Sequence, residues 1–332
     1  MKPQQFWYTE ASRPDWRARL LAPLGWIYGA LTAKRVQQAP TFTPKIPVVC
    51  VGNINAGGTG KTPATIALVQ HMQNGGLTPH IVSRGYGGVL AGPTQVDEQK
   101  HRAHETGDEP LLLAAFAPTW VSKDRGQGVK AAQTAGADII VLDDGFQNPS
   151  VPKDISIVVV DARLGFGNGR CLPAGPLREP VPQGLRRATV LLSIGPASAQ
   201  QSFAETWGTS VAIPHTTAEL IPLQTGMDWE GTRCLAFAGI GHPEKFFRTL
   251  KTLKAEVVET HALDDHQTLT PALLTRLEKR ANQLNLQLVT TEKDAVRLPT
   301  EYRHKVLTVP VRLEISDWSQ IDAALDKALC TE

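Results

Sequence analysis

The chain has 332 residues, 42% hydrophobic and 20% charged, with 34 Lys and Arg against 32 Asp and Glu for a formal net charge of +2. At roughly 100–200 residues per domain, that length predicts two domains and a sizeable core. The composition excludes a disordered chain, and the charge balance excludes a strongly basic nucleic-acid coat while leaving room for local basic patches.

Cys50, Cys171, Cys234 and Cys330 lie far apart with no C-x-x-C pair, which argues against a zinc site or a disulfide framework and for a reducing compartment. No stretch approaches the roughly 20 apolar residues of a spanning helix. The opening Met1, Lys2, Pro3, Gln4, Gln5 lacks the apolar run and cleavage site of a signal peptide, so the expected address is the cytoplasm.

Residues 6–35 stand apart. Trp7, Trp16 and Trp26 are three of the seven tryptophans, and Tyr8 and Tyr28 join them. From Trp16, apolar residues recur at Leu20, Leu24, Ile27 and Leu31, one face of a helix flanked by Arg17, Arg19, Lys34 and Arg35. Pro23 is expected to kink or divide it. Aromatic and basic residues around an apolar stripe suit a lipid interface; the same stripe also suits a helix docked on the protein's own core.

Residues 46–53 read as a buried strand. After Ile54, Asn55 and Ala56 comes Gly57-Gly58-Thr59-Gly60-Lys61-Thr62, and a helix follows to about Gln73. Strand, glycine-rich loop, Lys-Thr and helix form a P-loop arrangement, whose backbone N–H groups and helix N-terminus cradle phosphate oxygens. Lys61 is expected to reach the β- and γ-phosphates of ATP, and the Thr62 hydroxyl to bind Mg²⁺. Pro63 is tolerated in the first helical turn. Asn55 stands where the usual pattern has glycine.

Apolar runs at His80–Ser83, Thr119–Ser122, 137–142, Ile155–Val160 and Val190–Ile194 alternate with helical segments. This predicts an α/β fold with a mostly parallel sheet covered on both faces, and a ligand beyond the carboxyl ends of the strands. Charged groups collect there: Arg84, then Lys123-Asp124-Arg125, then Asp161-Ala162-Arg163. Asp143 and Asp144 end an apolar strand, the natural place for a Mg²⁺ contact, although Asp-Asp-Gly also composes a plain turn. Asp108, in Gly107-Asp108-Glu109-Pro110, is either a helix cap or a general base for a hydroxyl acceptor. Residues 165–180 form a long Gly/Pro-rich loop in which Arg170 and Arg178 are candidates for binding an anionic substrate.

Residues 211–223 read as a strand-like connector. A strand runs from Arg233 into Gly239-Ile240-Gly241, a helix starts near Glu244, another is capped near Thr270, and residues 286–291 form a further strand. His266, after Asp264-Asp265, is by itself more in keeping with a structural or exposed histidine.

The ordered set of motifs resembles the tetraacyldisaccharide 4′-kinase family of lipid A biosynthesis. It comprises Val51-Gly52-Asn53 with Gly57–Pro63, Ser83–Gly87, Gly107–Pro110, Asp143–Gln147, Pro173–Pro180, Phe237–Gly241, Asp265-His266 and Thr291–Leu298. The family too lacks glycine at the position of Asn55. The resemblance spans about residues 6–313. It implies transfer of the γ-phosphoryl of ATP to the 4′-hydroxyl of a tetraacylated disaccharide 1-phosphate, giving lipid IVA, at the cytoplasmic face of the inner membrane with no obligate protein partner. By motif, Asp108 matches the catalytic base and His266 its assistant. Asp143 and Asp144 match paired acids near Mg²⁺, Arg178 and Glu179 an active-site pair, and Asn55, Ala56, Gly57, Gly58, Thr59, Gly60, Lys61 and Thr62 the nucleotide loop. The implied organisation is an amphipathic membrane-associating segment (1–35), a P-loop core (36–210), a strand linker (211–225) and a smaller C-terminal α/β unit (226–332). A competing reading is a membrane-associated partitioning or septum-site ATPase switch; such proteins need a lysine where this chain has Ala56.

Overall fold

The computed structural model describes residues 4–330, so the expectations resting on Met1, Lys2 and Pro3, and the last two positions of the C-terminal unit, lie outside the described residues. In chain order the strands are β1 (Val48–Gly52), β2 (Pro79–Ser83), β3 (Thr94–Gln95), β4 (Thr119–Val121), β5 (Ile139–Asp143), β6 (Ile155–Asp161) and β7 (Val190–Ile194). There follow β8 (His215–Pro222), β9 (Arg233–Ala238), β10 (Glu256–Ala262), β11 (Gln287–Thr291), β12 (Val306–Val309) and β13 (Val311–Ile315).

The larger sheet has the order β13-β8-β7-β6-β1-β5-β2-β4-β3, parallel except at its two edges, where β13 runs against β8 and β3 against β4. β1 lies between β5 and β6 and is buried along its whole length. Val49 and Val51 join the apolar layer on one face, Val48 and Cys50 the layer on the other. That is the period-two alternation of a strand buried on both sides, and it explains why the run reads as continuously apolar. The helix Lys61–Asn74 covers the first face with Ile66, Leu68, Val69 and Met72, each roughly 1.5–3 kcal/mol when fully buried.

The smaller sheet is all parallel, in the order β10-β9-β11-β12. Two elements assigned by sequence to the smaller unit lie elsewhere. β13 pairs with β8 on the larger sheet, and the helix Ser319–Leu329 packs Ile321 and Leu325 into the same layer as Val49 and Val51. The connector around residues 211–223 is likewise a full strand of the larger sheet, since β8 pairs in parallel with β7. The chain therefore leaves the larger sheet after β8, builds the smaller one, and returns.

Near the N-terminus, the helices Trp16–Leu20 and Ala22–Val36 meet at Leu21, with Pro23 in the first turn of the second. Their buried residues are the small ones: Ala18, Ala22, Gly25, Gly29 and Thr32. The stripe Trp16, Leu20, Leu24, Ile27 and Leu31 faces outward, with Trp26 74% exposed beside it. The docked-core reading of that stripe is thus overturned. Close approach is the reason: a Cβ on Gly25 would lie 2.9 Å from the Cys171 carbonyl oxygen. Trp7 departs from the surface group. It is buried, and its indole Nε1–H donates to the Pro173 carbonyl at 3.0 Å.

Candidate active site

The P-loop leaves β1 at Gly52 and ends at Gly60, whose φ of +97° is a left-handed value that only glycine adopts freely. Gly57 and Gly58 have open space on the side where a Cβ would project, so a ligand's phosphates can approach the backbone there. Asn53 braces the loop from beneath, its Nδ2 donating to Thr59 Oγ1 at 3.0 Å and to the Gly57 carbonyl at 3.3 Å. Asn55 is buried and donates from Nδ2 to the Gly165 carbonyl at 3.0 Å. Its side chain therefore ties the loop to residues 165–180. Two main-chain bonds add to that tie, Ala56 N–H to the Pro176 carbonyl at 2.6 Å and Arg178 N–H to the Ile54 carbonyl at 2.7 Å. The Gly/Pro-rich loop is thus the buttress of the P-loop.

Lys61 and the paired acids meet beyond the strand ends. Lys61 Nζ lies 3.8 Å from Asp144 Oδ1, and Arg178 donates to the same carboxylate at 3.0 Å. Burial raises the Asp144 carboxyl, but Lys61 and Arg178 outweigh it and hold the group below its ordinary value. Asp143 differs. It is buried, accepts a hydrogen bond from Ser83 Oγ at 3.0 Å, and is pushed up to about 7 by burial and by the charges of Glu109 and Asp144. Its Oδ1 has no hydrogen-bond partner in the described residues. A buried carboxylate with one orphaned oxygen suits a hard divalent cation. Mg²⁺ takes one or two protein oxygens beside phosphates and waters, and Asp143 with the Thr62 hydroxyl are the candidates to supply them.

Arg178 and Glu179 do not pair with each other. Glu179 is buried, accepts from Arg187 NH2 at 2.5 Å and 2.7 Å, and takes a further bond from Gln147 Nε2 at 2.9 Å. Arg187 also stacks over the Phe146 ring at 4.3 Å and donates to the Phe146 carbonyl, so Glu179 locks the turn after Asp144 in place. Neighbouring residues point apart because the backbone there is extended, as the isolated bridge between Leu177 and Asn55 indicates. Among the candidate basic residues, Arg84 and Lys123 are exposed, but Arg125 is buried and donates to the carbonyls of Asp143 and Asp144 at 3.2 Å and 2.7 Å. Its role is to hold the acidic turn.

The smaller sheet's loops close over this edge. A Cβ on Gly241 would lie 3.6 Å from the Gly58 amide nitrogen, so the glycine turn after β9 faces the P-loop. His266 reaches across to Asp108, with Nδ1 3.0 Å from each carboxylate oxygen. Asp108 is not the cap of its helix. Gly107 holds that position, and Asp108, buried as the first helical residue, turns its carboxylate to the imidazole. Burial raises the Asp108 carboxyl, but the His266 hydrogen bond, Lys293 and Arg297 hold it below its ordinary value. The same hydrogen bond raises His266, against burial and Lys293. Both Asp144 and His266 have left-handed backbones, φ 49° and 58°, a strain that clusters at functional sites.

Lys293 and Arg297 belong to a sequence motif whose individual roles were not legible. Lys293 Nζ lies 3.0 Å from Glu109 Oε1, and Arg297 Nε lies 3.7 Å from Asp108 Oδ2. The signal was there in the run Thr291–Leu298, yet nothing local says that a turn after β11 faces residues 108–109.

A family model described as "Tetraacyldisaccharide-1-P 4'-kinase" matches residues 17–330. A tetraacyldisaccharide 4'-kinase of Dinoroseobacter shibae is 59% identical over 98% of this chain and 97% of its own length. Another from Jannaschia sp. is 56% identical over 99% of each. The "apo" form of LpxK from Aquifex aeolicus, solved in complex with ATP, covers 94% of this chain and 99% of its own at a TM-score of 0.74, with 24% identity, a likeness of fold.

Proposed function

Because this chain belongs to the tetraacyldisaccharide-1-P 4'-kinase family, it is a phosphotransferase of lipid A synthesis, and we propose that it moves the γ-phosphoryl of ATP to the 4′-hydroxyl of tetraacyldisaccharide 1-phosphate with Asp108 as general base. The partitioning-type ATPase switch is set aside by the family assignment. The observation that carries the choice of base is the contact of Asp108 with His266 across the mouth of the P-loop.

The P-loop amides from Gly57 to Thr62 and the Lys61 ammonium hold the phosphates, the Ala56 amide being taken by the Pro176 carbonyl. Thr62 and Asp143 would hold Mg²⁺, which when bound would supply charge neutralisation to the transferring phosphate. Asp108 accepts the hydroxyl proton as the oxygen–phosphorus bond forms and the bond to the leaving ADP breaks. Arg178, paired with Asp144 at 3.0 Å, sits where it can stabilise charge on the transferring group. His266 orients the Asp108 carboxylate and tunes its basicity.

The outward apolar stripe from Trp16 to Leu31, with Arg17, Arg19, Lys34 and Arg35 around it, supports a peripheral seat on the cytoplasmic face of the inner membrane. No helix among the described residues is long and apolar enough to cross a membrane.

The test is transfer of labelled γ-phosphate to the lipid acceptor in detergent, with wild type and Asp108→Asn side by side. The expected result is labelled lipid from wild type and a loss of at least about 100-fold in kcat for the variant. An unaffected variant would remove Asp108 as base.

A further inference from the structure

The turn Thr291–Leu298 does more than close the smaller sheet. Asp294 is fully buried, and both its carboxylate oxygens accept from the Gly239 N–H at 3.1 Å. Arg297 donates to the Gly239 carbonyl at 3.0 Å, to the Gln267 carbonyl at 3.0 Å and to Asp294. One turn therefore fixes both loops that meet the larger sheet: the glycine turn facing Gly58 and the turn carrying His266. From the same turn, Lys293 extends to the far side of the imidazole. Its Nζ is 3.4 Å from His266 Nε2, 3.0 Å from Glu109 Oε1 and 3.7 Å from Asp265 Oδ1.

We propose that Lys293 is a positioning residue for the transfer reaction: clamped by Glu109 and Asp265, its ammonium faces Nε2 of His266 and opposes a second proton on the imidazole, favouring the form whose one proton sits on Nδ1, directed at Asp108. The inference deepens the reading of Asp108 as base and rests on it. The imidazole is faced by Asp108 on the helix Asp108–Leu113, by Asp265 beside it in the chain, by the Tyr86 ring edge-on at 5.7 Å and by Lys293, with Arg297 behind Asp108. Of these, Lys293 alone is a cation at Nε2. A cation there repels a second proton on the ring. A doubly protonated ring would pair with Asp108 as a full ion pair and weaken it as a proton acceptor; a neutral ring orients the carboxylate and leaves it more basic. Lys293 remains charged in this setting. Burial lowers its ammonium, but Glu109, Asp108 and Asp265 together lift it above its ordinary value.

The experiment compares wild type, Lys293→Met and Lys293→Arg in the lipid phosphorylation assay across pH. The expected result for Lys293→Met is a kcat several-fold lower near neutral pH, approaching about tenfold on the acid side, with the acid limb displaced upward by about one pH unit. Lys293→Arg keeps the limb in place. A lowered kcat with an unmoved limb would overturn the proposal and reduce Lys293 to a structural tie. Nitrogen NMR of histidine-labelled full-length enzyme, with His266→Gln assigning the signal, reads the ring directly. Wild type should show the Nδ1–H form at a pH where Lys293→Met still shows imidazolium; identical titrations in the two would also overturn the proposal. If Asp108→Asn instead retains its kcat, the base reading fails, and the nitrogen spectra still decide what Lys293 does to the ring.

Discussion

Asp108 and His266 carry opposite displacements from one hydrogen bond, and that fixes a pH dependence. The bond raises the imidazole above its ordinary value and helps hold the carboxyl below its own. While the ring is doubly protonated, the carboxylate is ion-paired and a poor acceptor. As pH rises through the lifted imidazole value the ring becomes neutral and the acceptor improves. The expected kcat therefore climbs with pH with a midpoint above about 6.5, and His266→Gln both lowers kcat and removes that limb, as a pH series on the two proteins will show. Ser83 offers a second check. Its hydroxyl donates to Asp143 Oδ2 and leaves Oδ1 without a hydrogen-bond partner among the described residues, open to the proposed cation. Ser83→Ala is expected to raise the Mg²⁺ concentration for half-maximal activity by about tenfold, measured at fixed ATP; an unchanged Mg²⁺ curve would count against Asp143 as ligand.

The helices at residues 16–36 invert the usual arrangement of a surface helix. Small residues face the body and large apolar ones face out, because the partner surface is the buttress loop pressed close: the Cys171 carbonyl against Gly25, and the Cys171 Sγ and Pro180 ring against Gly29. The two stripes therefore predict different phenotypes. Gly25→Leu pushes a side chain into the Cys171 carbonyl and is expected to cost about 1–3 kcal/mol, read as a lowered Tm. Leu24 and Trp26 are 53% and 74% exposed, so in Leu24→Glu and Trp26→Glu Tm should hold within a degree or two while sedimentation with anionic vesicles is lost. A Tm drop in the glutamate variants without loss of vesicle binding would argue that the stripe docks on protein.

Across the whole molecule, the smaller sheet is held against the larger by ionic contacts at several points. His266 with Asp108 and Lys293 with Glu109 lie at the proposed active site. Lys245 with Asp161 lies apart from it, at the carboxyl end of β6, where Asp161 is buried. Removing the cation strands a buried carboxylate, a costly outcome for the closed arrangement. Lys245→Met is expected to raise the KM for ATP several-fold with a smaller change in kcat, because the glycine turn at Gly241 then faces Gly58 less of the time. A kinetic comparison at low and high ATP will show whether the loss is recovered by saturation.

How much of this was legible depended on range. The P-loop, its helix and the strands β1, β5, β6 and β7 were written in local pattern, since each strand's burial on both faces makes an apolar run and the glycine-rich loop needs its residues in sequence. Lys61 followed from the glycine-rich loop, and Asp143 and Asp144 from a strand end, whose carboxyl edge is where ligands of parallel sheets lie. β13 and the helix Ser319–Leu329 were misplaced because an amphipathic pattern says that a face is buried and not which sheet buries it. The stripe from Trp16 to Leu31 was recognised, but only the close packing of Gly25 and Gly29 on the buttress loop decided that it faces out. Arg178 and Glu179 are neighbours in sequence and part company in space, one serving Asp144 and the other Arg187. The separation between Asp108 and His266 is 158 positions, and Lys293 lies further along still. Sequence alone determined the family and which residues stand as candidates, because those depend on residue type and near spacing. Tertiary structure alone decided which cation faces which acid, because that depends on how two sheets, built from distant parts of one chain, come to share an edge.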